Sequence, residues 1–587
     1  GVAPRAHLIS YKACEGGEVG CPSSWTLAAL NQAVGDGVEV INYSIGGSNR
    51  NPWTDSVALA MRDARSAGIV VVVAAGNRGP DVGTVTSPSD APWVLAVANA
   101  SHGRRFINRL RLSGGDSPPP GGGVLLGDGL TGGVGPVPIV RDPAAPLCSQ
   151  GEGDQTLPPT GASNPWPSGR WRGEIVVCDR GIHARVAKSN NVRLSDGGGM
   201  VLLNRAVEGE STIADAHSLP STHLGFQVGQ QLLQWMGSGG GHSARLDGVA
   251  VEVDPGSADI LNVSSGRGPS SAVPSVLKPD LAAPGTDIQS AAHQGSGEAT
   301  LSGTSMAAPQ VAGAAALLRS AHPGWRADQI ISAISGTARP SIRREDRSSV
   351  ATSVEQGAGM LDVSRAIRAA LAFPVDPVQF HAGLAAATAI NLPSLVFDAC
   401  SPDCASLTRS VADLAGGGQW AVEVQTPPGV TLTVDTPQFN LAAGARRNLL
   451  FSARVDDPGL YGRWLDAAVL LRRLTPDGRP DLRLPVRLLA PVVGLSGGLS
   501  RTVSPDRGAF DTVLPGINLP MPSARFAGTA LVAPVAHRYT LDPDPTPLSR
   551  FDNLSEGVGW HTITVPAPAS GRATRYRIEI ELQTPSG

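Results

Sequence analysis

Residues 69–77 read Ile69-Val70-Val71-Val72-Val73-Ala74-Ala75-Gly76-Asn77. Seven apolar residues, five of them β-branched, end at a glycine and a polar turn. A run this short, with no polar residue on either face of the pleat, suits a strand buried on both sides. Parallel sheets covered by helices are built from such strands. Working outward, residues 55–67 have helical spacing through Val57, Ala60, Met61 and Ala64. Residues 39–45 read as a strand ending at Gly46-Gly47, 27–34 as a short helix, and 93–98 as another buried strand. The order β-α-β-α-β predicts an α/β fold with a doubly wound, mostly parallel sheet.

The alternation lapses between 121 and 250. Stretches 118–123 and 132–138 are rich in Gly and Pro and read as loops. Residues 173–179 and 199–204 read as short strands, and 228–236 as a helix that closes the region. The α/β pattern resumes at 259, with helices expected at 305–320 and 328–337. An inserted α+β domain in a loop of the α/β domain accounts for this, because surface loops tolerate insertion. Beyond 374, short alternating segments between Gly/Pro turns (420–425, 430–434 and 575–582) predict C-terminal all-β sandwich modules split near Pro491. The expected division is 1–120, 121–250, 251–373, 374–490 and 491–587, the first and third making one domain.

The 587 residues carry 47 basic and 50 acidic side chains, a net charge of −3. Near-neutral charge without a basic, aromatic-interleaved cluster argues against nucleic-acid binding. No run of eighteen apolar residues occurs, so no membrane-spanning helix is expected. With 71 Gly, 49 Pro and only 17% charged residues, the composition suits a turn-rich extracellular protein. The six cysteines fall into local pairs: Cys14 with Cys21, Cys148 with Cys178 and Cys400 with Cys404. That pairing rests on proximity among fifteen possibilities, with free buried thiols as the other reading. It favours an oxidising compartment. No Cys/His spacing or carboxylate cluster suggests a metal, and no cofactor is expected. Gly1-Val2-Ala3-Pro4 is neither an initiator methionine nor a signal peptide, and the chain reads as cut from something longer.

Two segments carry chemistry. In GTSMAAPQVAG (residues 303–313) a loop of small residues delivers Ser305 to the start of an apolar helix. There its hydroxyl is exposed, and its amide and the helix terminus can stabilise an oxyanion. The ordinary alternative is an N-cap serine. In AAGNRGP (residues 74–80) Asn77 follows the strongest strand, where ligands of open α/β sheets bind. Its amide can donate to a tetrahedral intermediate; the alternative is an Asn in a turn at positive φ.

Together these segments resemble the subtilisin-like serine peptidases. GTSMAAPQVAG resembles the nucleophile motif, implying Ser305, and AAGNRGP the oxyanion-hole motif, implying Asn77. VINYSIGG (residues 40–47) resembles the substrate-binding strand, where Ser44, Ile45 and Gly46 would pair with an extended peptide. GVAPRAHLISYKAC (residues 1–14) resembles the stretch after the family's catalytic histidine, and residues 263–269 and 277–285 resemble further landmarks. RGEIVVCDRG, GGGMVLLN and DAHSLPSTHL look like a protease-associated domain, and the stretch from about 376, with INLPSL, resembles a fibronectin type III-like domain.

Three departures stand out. The family's catalytic aspartate and histidine would lie upstream of residue 1, and none of the eleven histidines has an HGTH-like context. His102 in Ser-His-Gly is a superficial match, His7 falls inside an expected strand, and His217 and His223 belong to the insertion; all read as structural or surface residues. Ser264-Ser265-Gly266-Arg267-Gly268-Pro269 carries one glycine more than the family's SSRGP. Gln310 replaces a commoner histidine. The implied activity is a secreted serine endopeptidase acting on proteins or peptides by acyl transfer from Ser305. This chain would be nearly inert without histidine and aspartate. A non-catalytic peptide-binding protein on the same scaffold is the alternative, and an esterase or amidase is a third. Oligomeric state, cleavage specificity and calcium dependence are not legible.

Overall fold

The computed structural model describes residues 1–15, 20–151, 163–292, 297–400 and 402–491, and strands at 524–529, 536–539 and 577–582. Its centre is a four-stranded parallel sheet in the order Val40–Tyr43, Val70–Ala74, Leu95–Ala100, Leu281–Pro284. The valine run explains itself here. Val70, Val72 and Ala74 point into one core with Val311, Ala315, Leu318 and Ile330, from helices Thr304–Ala321 and Ala327–Gly336. Val71 and Val73 point into the opposite core with Leu30, Ala58, Met61 and Trp93, under helices Ser23–Gly35 and Ser56–Ser66. With both faces dry, no position in the strand tolerates a polar side chain. Asp55 caps the second of those helices by accepting from Val57 N–H at 3.0 Å.

Between the third and fourth sheet strands the chain forms a closed, seven-stranded barrel. Three expectations need correction here. The barrel begins with Arg104–Ser113, before residue 121, because this strand pairs antiparallel with Ser243–Val253 and not with the parallel sheet. Helix Phe226–Met236 does not close the region; the strand Ser243–Val253 does, bridging Arg104–Ser113 and Val134–Val140. Val134–Val140 is itself a strand where a loop was expected. Its prolines are tolerated because it is only partly paired on one side, through Ile139 and Val140. Strands Ile175–Asp179 and Gly199–Leu203 lie as expected. Leu110, Ile175, Val177, Val201, Leu224 and Trp235 fill the barrel's main core.

Beyond Leu371, two antiparallel-rich sheets of four and five strands share one core built on Phe451, Leu449, Trp420, Val469 and Leu484. Strands Ala524–Thr529, Ala536–Tyr539 and Arg577–Leu582 form a further small sheet. The rest of the expected module at 491–587 lies outside the described residues. The three local cysteine pairs are disulfides. Among the described residues no helix is long and apolar enough to cross a membrane. His7 is exposed and lies in no strand, because the segment has no strand partner among the described residues.

Candidate active site

The carboxyl ends of the sheet strands and the N-terminus of helix Thr304–Ala321 meet at Ser305. Gly303 precedes this helix at φ 157° and ψ 167°, a conformation open essentially to glycine alone. A Cβ there would also stand 3.4 Å from the Asn77 side chain. Ser305 is the second residue of the helix and half-buried. The first N–H groups of a helix have no partner four residues back, and among the described residues nothing accepts the Ser305 N–H.

Pro309 completes this arrangement. It lacks the N–H that would bond the carbonyl four residues earlier, so the Ser305 carbonyl is free. Ser44 Oγ takes it at 2.9 Å, while Ser305 Oγ donates to the Ser44 carbonyl at 3.3 Å. The reciprocal pair fixes residues 44–46 beside the serine. The strand stops at Tyr43, short of the expected Ile45, so Ser44, Ile45 and Gly46 continue past the sheet with no strand partner among the described residues. On its outer side Val40–Tyr43 pairs with no other strand among the described residues.

Asn77 is exposed in the bend after Val70–Ala74. Its Oδ1 accepts from Thr304 N–H at 2.9 Å and from Thr304 Oγ1 at 3.0 Å, and that hydroxyl accepts from Gly76 N–H at 3.2 Å. With Oδ1 doubly engaged, the amide is oriented, and Nδ2 has no acceptor among the described residues. The turn is braced from below by residues 263–268: Gly79 N–H donates to Ser264 O at 2.9 Å and Gly266 N–H to Gly76 O at 2.7 Å. The additional Gly266 finds its reason here, since a Cβ would lie 2.4 Å from the Ala75 carbonyl oxygen. Arg267 is buried between Glu345 and Glu355, which anchors this brace.

No described histidine is hydrogen-bonded to Ser305. His102 is held neutral-leaning by burial, and its Nδ1 accepts from Arg104 N–H at 3.0 Å. His223 is buried inside the barrel, with Nε2 2.7 Å from Asn204 Oδ1 and Nδ1 accepting from Ile213 N–H at 3.2 Å. Burial holds its pKa well below the usual value. Burial also lowers His217. Among the described residues no cluster of His, Cys, Asp and Glu has the makings of a metal site. The structure thus gathers Ser305, Asn77 and Ser44. Sequence reasoning missed Thr304 and Pro309 as parts of the arrangement, although both stand inside the quoted motif.

A sequence model of the subtilase family matches residues 1–359. The chain is 34% identical to subtilisin-like protease SBT1.4 of Arabidopsis thaliana over 444 residues, covering 70% of this chain and 54% of that protein. It is 36% identical to subtilisin-like protease SBT1.6 of the same plant over 401 residues, 64% of this chain and 50% of that one. Subtilisin-like protease SBT5.3, also from Arabidopsis thaliana, is 29% identical over 490 residues, 75% and 62% of the two chains. The chain spans about half the length of the curated relatives it matches.

Proposed function

The chain belongs to the subtilase family, and on that premise we propose that it carries the nucleophile and oxyanion hole of a serine endopeptidase. Ser305 Oγ attacks a peptide carbonyl, forming an acyl-enzyme that water then hydrolyses. Asn77 Nδ2 and the Ser305 amide donate to the oxyanion. The observation that carries this is the double use of Asn77 Oδ1 by Thr304, which turns the opposite end of the amide outward before substrate arrives. Ser44, Ile45 and Gly46 offer backbone to an extended substrate. Ser305 needs a base, and among the described residues its hydroxyl is bonded only to Ser44 O; a histidine with its orienting aspartate would supply that base. The barrel is read as a protease-associated domain, the paired sheets after 371 as a fibronectin type III-like domain, and the protein as secreted.

The test compares casein hydrolysis by these 587 residues alone, by the protein made with any upstream coding sequence, and by the latter with Ser305→Ala. The expected order is near background, active, and dead. Tight binding of extended peptides by the longer protein with no turnover would replace this reading with the non-catalytic one.

A further inference from the structure

The loop that delivers Ser305 is short and made of small residues, Ser302-Gly303-Thr304. Something must hold it, because a reacting group displaced by about 1 Å loses on the order of 100-fold in rate. Two of its ties come from one segment. Gly303 N–H donates to Gly285 O at 2.8 Å. Asp287, two residues on, exchanges bonds with Ser302: its N–H donates to Ser302 Oγ at 2.8 Å, and Ser302 Oγ donates to Asp287 Oδ1 at 2.9 Å.

The same Oδ1 has a second partner from a different part of the molecule. Ala214 N–H, on the barrel, donates to it at 3.0 Å. Ala214 is buried between Ile213, whose N–H bonds His223, and Asp215, which Arg185 grips through two nitrogens. Nearby, the barrel's Ser211 Oγ accepts from Val263 N–H at 3.1 Å, at the start of the brace under Asn77. Asp287 is itself buried and sits at φ 55°, a backbone conformation that non-glycine residues rarely hold unless their surroundings determine it. One carboxylate oxygen therefore joins the barrel to the loop three residues before the nucleophile.

We propose that Asp287 is a positioning residue for Ser305, a bolt through which the docked barrel holds the nucleophile loop in register. The proposal rests on the reading of Ser305 as nucleophile. It makes the barrel part of the catalytic apparatus without any barrel residue touching substrate.

Asp287→Gly tests it, because glycine accepts φ 55° without strain and only the carboxylate is lost. In the full protein with a peptide anilide substrate, kcat is expected to fall about 10- to 100-fold with KM within about twofold. Asp287→Asn, which keeps an acceptor oxygen and tolerates this conformation, is expected to recover most of that loss. Hydrogen exchange supplies the second arm: in Asp287→Gly the amides of residues 302–306 and of Ala214 should speed up together. Unchanged kcat, or faster exchange at Ala214 with none at 302–306, overturns the proposal. If the wild type cleaves nothing, the peptidase reading falls, and the exchange arm still decides whether the bolt exists.

Discussion

The parallel sheet and the barrel bury comparable sets of apolar side chains, yet they handle polar groups in opposite ways. The barrel closes on itself, and many of its buried polar groups pair within it: His223 with Asn204, Arg180 with Asn204 and Ser211, Asn108 with Thr222 and Gly248. The sheet stays open. At its carboxyl end Asn77 is held through Oδ1, with Nδ2 turned outward, while the Ser44 and Ser305 hydroxyls each donate to the other's carbonyl. Closure removes the barrel's edges; an open sheet presents polar groups to a ligand outside its carboxyl strand ends. The charged residues of the barrel are accordingly read as architecture and the neutral residues at the sheet's end as chemistry.

The largest effect that would break this contrast is at the serine. Ser305→Ala is expected to abolish peptidase activity; the comparable loss in a bacterial member of the family is about 10⁶ in kcat. His223→Ala in the barrel should spare kcat in whatever fraction folds. Activity lost equally in both, at equal folded fraction, would erase the distinction. Next, Asn77→Ala should lower kcat by about 10² to 10³ with KM little changed, the magnitude measured for an oxyanion-hole asparagine in this family.

The two buried lysines sharpen the comparison in stability. In the core, Lys278 Nζ donates to Val94 O and to Asp280, both at 2.7 Å, and Asp280 also accepts from Ala96 N–H. Lys278→Met strands that carboxylate and should cost about 3 kcal/mol in denaturant unfolding. In the barrel, Lys188 bonds Leu147 O and Ser149 and forms no direct ion pair among the described residues, and burial pushes its pKa down to about 8. Lys188→Met strands no charge and should cost about 1 kcal/mol or less. Equal costs would show that the core pair is not special.

The smallest effect concerns pH at the seam. Burial, with Asp128 nearby, pushes the Asp287 carboxyl up to about 7. The folded protein then keeps a proton that the unfolded chain releases near 4, so this group makes stability fall as pH rises from about 4 to 7. Asp287→Asn has no such proton. Its melting temperature should match the wild type near pH 4 and exceed it by a few degrees above pH 7. A constant difference across that range would contradict the buried titration.

How much of this was written in the chain varies by element. The run at 69–75 was legible because burial on both faces leaves a signature that needs no knowledge of partners. Val134–Val140 was not, since Pro136 and Pro138 mask a strand whose pairing with Ile175–Asp179 is confined to Ile139 and Val140. The barrel's closure was hidden too, because Arg104–Ser113 meets Ser243–Val253 only after more than a hundred intervening residues. At the site, Ser305 and Asn77 stood out by motif. The Ser44–Ser305 exchange did not, because it depends on a carbonyl that Pro309 leaves free. Asp287 carries no motif at all; its position emerges only where three segments converge.

The central claim is that Ser305 is the nucleophile, and active-site labelling tests it most directly. The protein, made with any upstream coding sequence, is treated with a fluorophosphonate and digested for mass spectrometry. A single adduct on Ser305, absent in Ser305→Ala and reduced in Asn77→Ala, is the expected result. An adduct on another serine, or none in a protein that cleaves casein, would contradict it.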